Sequence, residues 1–186
     1  IPRRQEDNKT MIWNKSVECA DPKDLRKLQS ERLSKLAQYV YANCAVYKTM
    51  FDAAGVKPAS ITSIDDIKRL PFTEKNHMRD NYPTGMFSSP AGVVEIHVSS
   101  GTTGNPTVVG YTRDDLKLWA DVMARCLCCA GAEPGDTLQN AYGYGLFTGG
   151  LGLHYGGIEM GLKVIPMSSG QTARQLKIMQ DFKPRI

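Results

Sequence analysis

Apolar side chains recur every three or four residues after Asp21, which predicts a long helix in the first third of the chain. Asp21 and Pro22 suit the N-cap and the first helical position. The apolar positions are Leu25, Leu28, Leu33, Leu36, Val40, Cys44, Tyr47 and Phe51. Shorter helices are predicted at 63–69 and 74–81, so residues 1–90 are expected to form a helical N-terminal segment.

The pattern changes after residue 90, where β-branched residues predict strands. Two such segments, at 93–98 and 107–111, predict a hairpin. Further strands are predicted at 137–141 and 163–166, and helices at 112–130 and 172–182, with a glycine-rich helix between the last two strands. Strands that alternate with helices predict an α/β fold with a mostly parallel sheet and flanking helices. We expect residues 91–186 to form this α/β segment, and both segments to belong to one larger domain.

The loop between the hairpin strands carries the strongest chemical signal. Its sequence is Ser99-Ser100-Gly101-Thr102-Thr103-Gly104-Asn105-Pro106-Thr107. Glycines let the backbone approach a ligand, successive N–H groups form an anion-binding concavity, and the hydroxyls add donors. The composition predicts a polyphosphate site, and an ordinary turn is the alternative. The loop lacks both the Gly-Lys-Ser/Thr of a P-loop NTPase and the Gly-x-Gly-x-x-Gly of a dinucleotide fold.

Residues 140–152 combine aromatic side chains with many glycines. Tyr142 and Phe147 are placed to stack on the ring of a planar ligand. Three glycines would leave space for such a ligand, namely Gly149, Gly150 and Gly152. Close packing of a helix on a sheet is the alternative explanation for glycines here. We expect that explanation to hold for Gly156, Gly157 and Gly161.

Three motifs in this order resemble one enzyme family. Residues 99–107 are similar to the phosphate loop of the adenylate-forming superfamily of acyl-CoA and aryl-CoA synthetases. The segment at 70–83 (Leu-Pro-Phe-Thr-Glu-Lys to Met-Arg-Asp-Asn-Tyr-Pro) resembles the one that precedes this loop in phenylacetate–CoA ligases. Residues 140–152 resemble the acyl-pocket segment of the same family. The resemblance covers about residues 25–186 and implies the start of the large N-terminal domain of an adenylate-forming enzyme.

The resemblance also implies a reaction. An aryl carboxylate such as phenylacetate attacks the α-phosphate of ATP, usually with Mg²⁺, and the thiol of coenzyme A then displaces AMP from the acyl-adenylate. Nucleotide contacts are assigned to Ser99, Ser100, Gly101, Thr102, Thr103, Gly104 and Thr107. Substrate contacts are assigned to Tyr142, Tyr144, Phe147, Gly149 and Gly150. No catalytic or metal-ligating residue is assigned. The alternatives are a related adenylating enzyme with another acid or acceptor, and a non-catalytic nucleotide-binding module.

The chain departs from the family pattern in two respects. Related loops carry a lysine beside the proline, whereas Asn105 and Thr107 flank Pro106 here. The family's magnesium-binding acidic segment, its ribose-binding Asp and its C-terminal domain with a catalytic Lys are not found in these residues. We therefore expect the N-terminal fragment of a ligase, inactive by itself. Its final residues, Pro-Arg-Ile, resemble the entry into another strand.

Composition mainly excludes classes of function and assigns few residues to a site. The formal charge of +4 comes from 23 basic and 19 acidic residues without a basic run, which argues against nucleic acid and polybasic membrane binding. The polar N-terminus lacks a secretory core, so a cytoplasmic protein is expected. Cys126, Cys128 and Cys129 are interpreted as small buried thiols rather than a metal site. His97 and His154 lie near the two candidate sites without an assigned role. The family resemblance implies a homodimer.

Overall fold

The computed structural model describes residues 11–99 and 105–186. The described residues form two compact units, one of residues 19–114 and the other of residues 11–18 with 115–186. The hairpin therefore groups with the N-terminal helices. The division into segments 1–90 and 91–186 stays a prediction. That both belong to one larger domain stays a prediction.

Helices account for most of the regular structure. The helices are α1 Lys15–Glu18, α2 Pro22–Asn43, α3 Ala45–Ala53, α4 Lys75–Asp80, α5 Arg113–Cys129, α6 Thr148–Glu159 and α7 Thr172–Phe182. The strands are β1 Val93–Val98, β2 Val108–Thr112, β3 Thr137–Gln139 and β4 Lys163–Ile165. Short 3₁₀ helices occur at Pro58–Ser60, Ile64–Arg69 and Pro90–Gly92. The α/β class is confirmed.

The predicted long N-terminal helix is divided in two at Cys44. Asp21 caps α2, since its side chain accepts a hydrogen bond from the Lys23 N–H at 2.8 Å. Cys44 has extended backbone angles (φ −134°, ψ 113°) and starts α3. The apolar spacing continues through the break, so the pattern contains no sign of it. The core of this unit is Ala37, Phe51, Val56 and Ile61.

The hairpin predicted around the loop is confirmed. β1 and β2 pair antiparallel with Val98 opposite Val108, and the register shifts between Val93 and Glu95. A Cβ on Gly110 would collide with the ring of Phe87. Gly110 therefore lets this aromatic ring lie directly against β2.

The prediction of one mostly parallel sheet is wrong for the described residues. They contain two separate two-stranded sheets, the antiparallel β1–β2 hairpin and the parallel β3–β4 pair. The short connection between β1 and β2 joins antiparallel strands, whereas α6 provides the crossover that parallel strands need. No strand is assigned at 183–186, so the strand entry there stays a prediction; Ile186 donates to Thr137 O at 3.2 Å and accepts from the Gln139 N–H at 2.9 Å.

Helix α6 lies unusually close to its neighbours because of its glycines. A Cβ on Gly156 would lie 2.5 Å from Met123 Cβ on α5, and one on Gly157 would lie 2.7 Å from Val164 Cγ2 on β4. Close packing is therefore confirmed at Gly156 and Gly157. It is wrong for Gly161, which has a positive φ of 78° just after the helix and no crowded neighbour. The core of this unit comprises Ala124, Leu127, Cys128, Ala132, Leu138, Met160 and Leu162.

Candidate functional site

The two ends of the predicted phosphate loop are fastened to each other. The Ser99 N–H donates to Thr107 O at 2.9 Å, and the Thr107 N–H donates to Ser99 Oγ at 3.0 Å. The first bond continues the β1–β2 ladder and the second is made by a side chain; together they fix the points at which the loop begins and ends. The other predicted nucleotide contacts, Ser100, Gly101, Thr102, Thr103 and Gly104, lie outside the described residues.

Thr107 carries an unusual polar atom at this position. Its Oγ1 is buried and has no hydrogen-bond partner among the described residues. A buried hydroxyl without a partner is unfavourable, because it has lost its water and gained nothing in exchange. A ligand oxygen at the loop would supply the missing partner. Asn105, where related loops place a lysine, is exposed and neutral.

His97 is buried within the hairpin, two residues before Ser99. Its Nε2 lies 2.6 Å from Glu95 Oε1, and its ring meets the edge of Tyr111 at a centroid distance of 5.4 Å. Only 3% of His97 is exposed. The imidazole therefore occupies the face of β1 alongside a carboxylate.

Residues 140–150 follow β3, in the other unit, and are organised by Asn140. This side chain is 2% exposed. Its Nδ2 donates to Gly150 O at 2.7 Å and to Tyr144 Oη at 2.8 Å, while its Oδ1 accepts from the Tyr142 N–H at 3.2 Å. One amide thus joins three points of a segment that has no regular structure before α6.

Tyr144 connects Asn140 to α6. Its Oη lies 3.2 Å from His154 Nδ1, and the two rings meet edge to face at 5.8 Å. Burial raises the pKa of Tyr144 above its usual value, and the hydrogen bond from Asn140 only partly opposes this. The phenol therefore keeps its proton at neutral pH. Further edge-to-face contacts lead from His154 to Tyr155 and from Tyr155 to Trp119 on α5.

The predicted substrate-binding aromatics are accessible. Tyr142 and Phe147 are 51% and 53% exposed. Phe147 immediately precedes α6, so both side chains emerge from the segment that Asn140 holds. Their exposed faces are available for stacking on an aromatic ring.

The predicted role of the glycines as open space is not what the structure displays. A Cβ on Gly149 would lie 2.5 Å from the Tyr142 ring, and one on Gly150 would lie 2.5 Å from Gly143 O. At Gly152 the neighbour is the ring of Trp119, at 2.8 Å. The protein's own atoms therefore fill these positions, and the glycines permit that approach. Direct ligand contact by Gly149 and Gly150 stays a prediction.

Sequence reasoning missed Asn140 and Gln175 as organising residues. Gln175 Nε2 donates to Ser168 O at 3.1 Å and Gly170 O at 2.9 Å, which holds the turn that precedes α7. The available signal for Asn140 was its place near the end of a predicted strand, at the start of the aromatic-glycine run. Nothing in the sequence around Gln175 indicates its contacts.

The cysteine interpretation is correct for one of its three residues. Cys128 is buried, its Sγ donates to Met11 O at 3.0 Å, and burial raises its pKa. Cys126 and Cys129 are exposed instead. Within residues 11–99 and 105–186, no three or more His, Cys, Asp or Glu side chains are grouped to hold a metal ion. No helix in these same ranges has the length and apolar character needed to cross a membrane.

Curated relatives of the chain share one name, although no family model matches it. It is 50% identical over 177 residues to the phenylacetate-coenzyme A ligase of Thermus thermophilus, covering 95% of this chain and 40% of that protein. The enzymes of the same name from Aromatoleum evansii and Escherichia coli are 51% and 49% identical over 171 and 169 residues. The chain spans about two fifths of the length of these relatives.

Solved structures agree with the sequence relatives. The fold matches 2-hydroxyisobutyryl-CoA ligase in complex with 2-HIB-AMP and CoA with a TM-score of 0.88 and 26% identity, over 96% of this chain and 40% of that one. The same enzyme in the postadenylation state matches with a TM-score of 0.86 and 25% identity, over 96% of this chain and 39% of that one. By its sequence and its fold, the chain is similar to an N-terminal part of the phenylacetate–coenzyme A ligases, which are about 50% identical to it over at least 90% of its length.

Proposed function

We propose that this chain supplies part of the ATP site and part of the acid site of an AMP-forming ligase that converts phenylacetate, or a close aryl relative, to its coenzyme A thioester. The observation that carries the proposal is the 50% identity to a phenylacetate-coenzyme A ligase across 95% of this chain. The 177 aligned residues include both the loop and the segment after β3.

The hairpin loop is suited to the leaving phosphates of ATP. Ser99 and Thr107 fix its ends, and the buried Thr107 Oγ1 lacks a partner within the described ranges. Loop N–H and hydroxyl groups would donate to the β- and γ-phosphates as pyrophosphate departs. Mg²⁺ would neutralise phosphate charge, and the described residues contain no group of three or more His, Cys, Asp or Glu side chains that could hold it.

The segment at 140–150 is suited to the ring of the acid. Tyr142 and Phe147 present about half of their surfaces to solvent at its two ends. Stacked or edge-to-face contacts with an aromatic acid would bury these faces. Tyr144 lies between them in sequence and supports the segment through Asn140. In this proposal, Gly149 lets the Tyr142 ring lie against α6 and so shapes one wall.

Thioester formation by the full-length reading frame tests the proposal. The protein is incubated with ATP, Mg²⁺, coenzyme A and single acids, and products are followed by mass spectrometry. Phenylacetate is expected to give phenylacetyl-CoA and AMP in equal amounts. Formation of ADP, or equal use of all acids without preference for an aromatic ring, would contradict the proposal.

A second candidate function is the same AMP-forming ligase reaction with a different carboxylic acid as substrate. The two matched structures described above are of a 2-hydroxyisobutyryl-CoA ligase, whose bound 2-HIB-AMP is the adenylate of a branched hydroxy acid. A preference for small hydroxy acids in the same panel would favour this candidate. Binding of ATP without turnover of any acid would favour a non-catalytic nucleotide-binding module.

The 186-residue chain alone is expected to be inactive. It spans about two fifths of its relatives, and the family's remaining motifs are not found in it. The test is acid-dependent exchange of labelled pyrophosphate into ATP by the isolated chain. Exchange above the no-acid background would contradict this expectation. A cytoplasmic homodimer remains part of the proposal, to be checked by fractionation and by light scattering.

A further inference from the structure

We propose that Asn140 is the positioning residue of the candidate acid pocket, acting through a one-way hydrogen-bond chain from Asn140 to Tyr144 to His154. The expected effect of Asn140 on binding of the acid rests on the proposed function. The hydrogen-bond chain itself depends only on the geometry within one unit of the structure.

The orientation of the Asn140 amide is fixed by its partners. Gly150 O accepts only, so the atom 2.7 Å away must be the amide nitrogen. The Tyr142 N–H donates only, so the atom 3.2 Å away must be the amide oxygen. The second N–H of the amide is then directed to Tyr144 Oη, at 2.8 Å.

The direction of the next bond is part of the proposal. Tyr144 Oη accepts from Asn140 and keeps its own proton to donate. The neighbouring nitrogen is His154 Nδ1, at 3.2 Å, and we assign the phenol as the donor to it. A neutral His154 then carries its proton on Nε2. A hydrogen bond made by one ring nitrogen determines the tautomer in this way.

The chain of bonds holds the two predicted ring-binding residues in place. Asn140 secures the backbone of Tyr142, and Tyr144 joins the segment to the second turn of α6 through His154. Gly150, which also binds the Asn140 amide, lies in the first turn of α6 just after Phe147. Without the amide, Tyr142 and Phe147 would have to be ordered when the acid binds. That ordering cost weakens binding of the acid and leaves the chemical step unaffected.

The tautomer of His154 is measured by NMR of the protein labelled with ¹⁵N at histidine, with His154→Gln used to assign the signal. In the neutral ring we expect the proton on Nε2 and none detectable on Nδ1. In Tyr144→Phe, which keeps the aromatic ring, a mixture that includes the Nδ1–H form should appear. A proton on Nδ1 in the unaltered protein, or no change in Tyr144→Phe, would overturn the chain of bonds.

The role in positioning is measured by steady-state kinetics of the full-length protein. We expect Asn140→Ala to raise the KM for the acid about tenfold, as loss of about one net hydrogen bond predicts, with kcat and the KM for ATP within about twofold. Tyr144→Phe should raise the KM for the acid about threefold. This variant tests the positioning role if Asn140→Ala fails to fold. Tyr41→Phe is the matched control, since it removes a 2.7 Å bond between a tyrosine and Asp52 in the other unit.

The two measurements separate two kinds of failure. A fall in kcat alone, or equal increases in both KM values, would overturn the positioning role. If the unaltered protein activates no acid, the proposed function fails, whereas the NMR result still decides whether the chain of bonds exists.

Discussion

At the base of the hairpin loop, Thr107 Oγ1 is buried without a partner in the described ranges, whereas after β3 each polar atom of the buried Asn140 side chain is hydrogen-bonded. Both positions belong to segments predicted to bind substrate. The difference indicates two ways to prepare a site. In our interpretation, hydrogen bonds within the protein order the segment at 140–150, whereas Thr107 Oγ1 at the base of the loop is left to bond to a ligand.

The largest effect is expected from a substitution that disturbs the segment at 140–150. Gly150→Ala would place a Cβ 2.5 Å from Gly143 O, a backbone atom that cannot rotate away. We expect the free energy of unfolding to fall by about 2–3 kcal/mol. Trp13 and Trp119 both lie in this unit, so denaturant unfolding followed by tryptophan fluorescence measures the change.

Gly143→Ala is the matched control for that substitution. Its new Cβ would meet only Ser169 Oγ, at 3.5 Å, which is an ordinary contact. Its effect should stay within about 0.5 kcal/mol. Equal losses in the two variants would mean that the close approach at Gly150 does not support the segment.

The next effect tests what the ordered segment binds. Phe147→Ala should weaken aryl acids about tenfold more than short aliphatic acids, because only an aromatic substrate loses a ring contact. Binding or KM is compared across an acid panel in the full-length protein. Leu146→Ala, which truncates an exposed neighbour, should affect both classes alike. Equal losses for the two acid classes in Phe147→Ala would rule out ring stacking.

A smaller effect is expected at the loop. Asn105→Lys would restore the cation that related loops carry, and a charge-assisted bond to phosphate is stronger than one from a neutral amide. We expect ATP to bind about fivefold more tightly, which corresponds to about 1 kcal/mol. Titration calorimetry compares ATP binding by the full-length unaltered protein and by its Asn105→Lys variant, with Asn105→Gln as the neutral control. Unchanged affinity would show that no cation is needed at this position.

The smallest expected effect is that of removing the hydroxyl of Thr107, and it tests whether this atom is left for a ligand. Thr107→Val removes the unpartnered hydroxyl, so the ligand-free protein should be equally stable or more stable by about 0.5–1 kcal/mol. The same change should weaken ATP binding about threefold. Ser99→Ala is the comparison, because it removes the acceptor of the Thr107 N–H and should be destabilising without ligand. A loss of stability in Thr107→Val would mean that the hydroxyl already has a partner.

The sequence predicted most elements because their signals are local. The helix at 172–182 and the hairpin strands at 93–98 and 108–112 lie where their periodicity and β-branched residues indicate. The single parallel sheet was wrong because strand pairing is a long-range property. The break at Cys44 was missed because the helical spacing of apolar residues continues through it.

The candidate site was predictable as segments but not as contacts. Tyr142, Tyr144 and Phe147 were assigned because their segment resembles the acyl-pocket segment of a known enzyme family, and their contact with the substrate stays a prediction. The bonds from Asn140 to Gly150 and from Tyr144 to His154 join residues ten positions apart, and no periodicity encodes them. The space predicted at Gly149 proved to be filled by Tyr142, because glycine leaves room equally for a ligand or for the protein's own side chain.

Exchange of labelled pyrophosphate into ATP by the full-length protein tests the central claim most directly, since it reports formation of the acyl-adenylate alone. The exchange should require phenylacetate, should proceed without coenzyme A and should be weaker with short aliphatic acids. Exchange that is independent of any carboxylic acid, or absent with every acid while ATP still binds, would contradict the account.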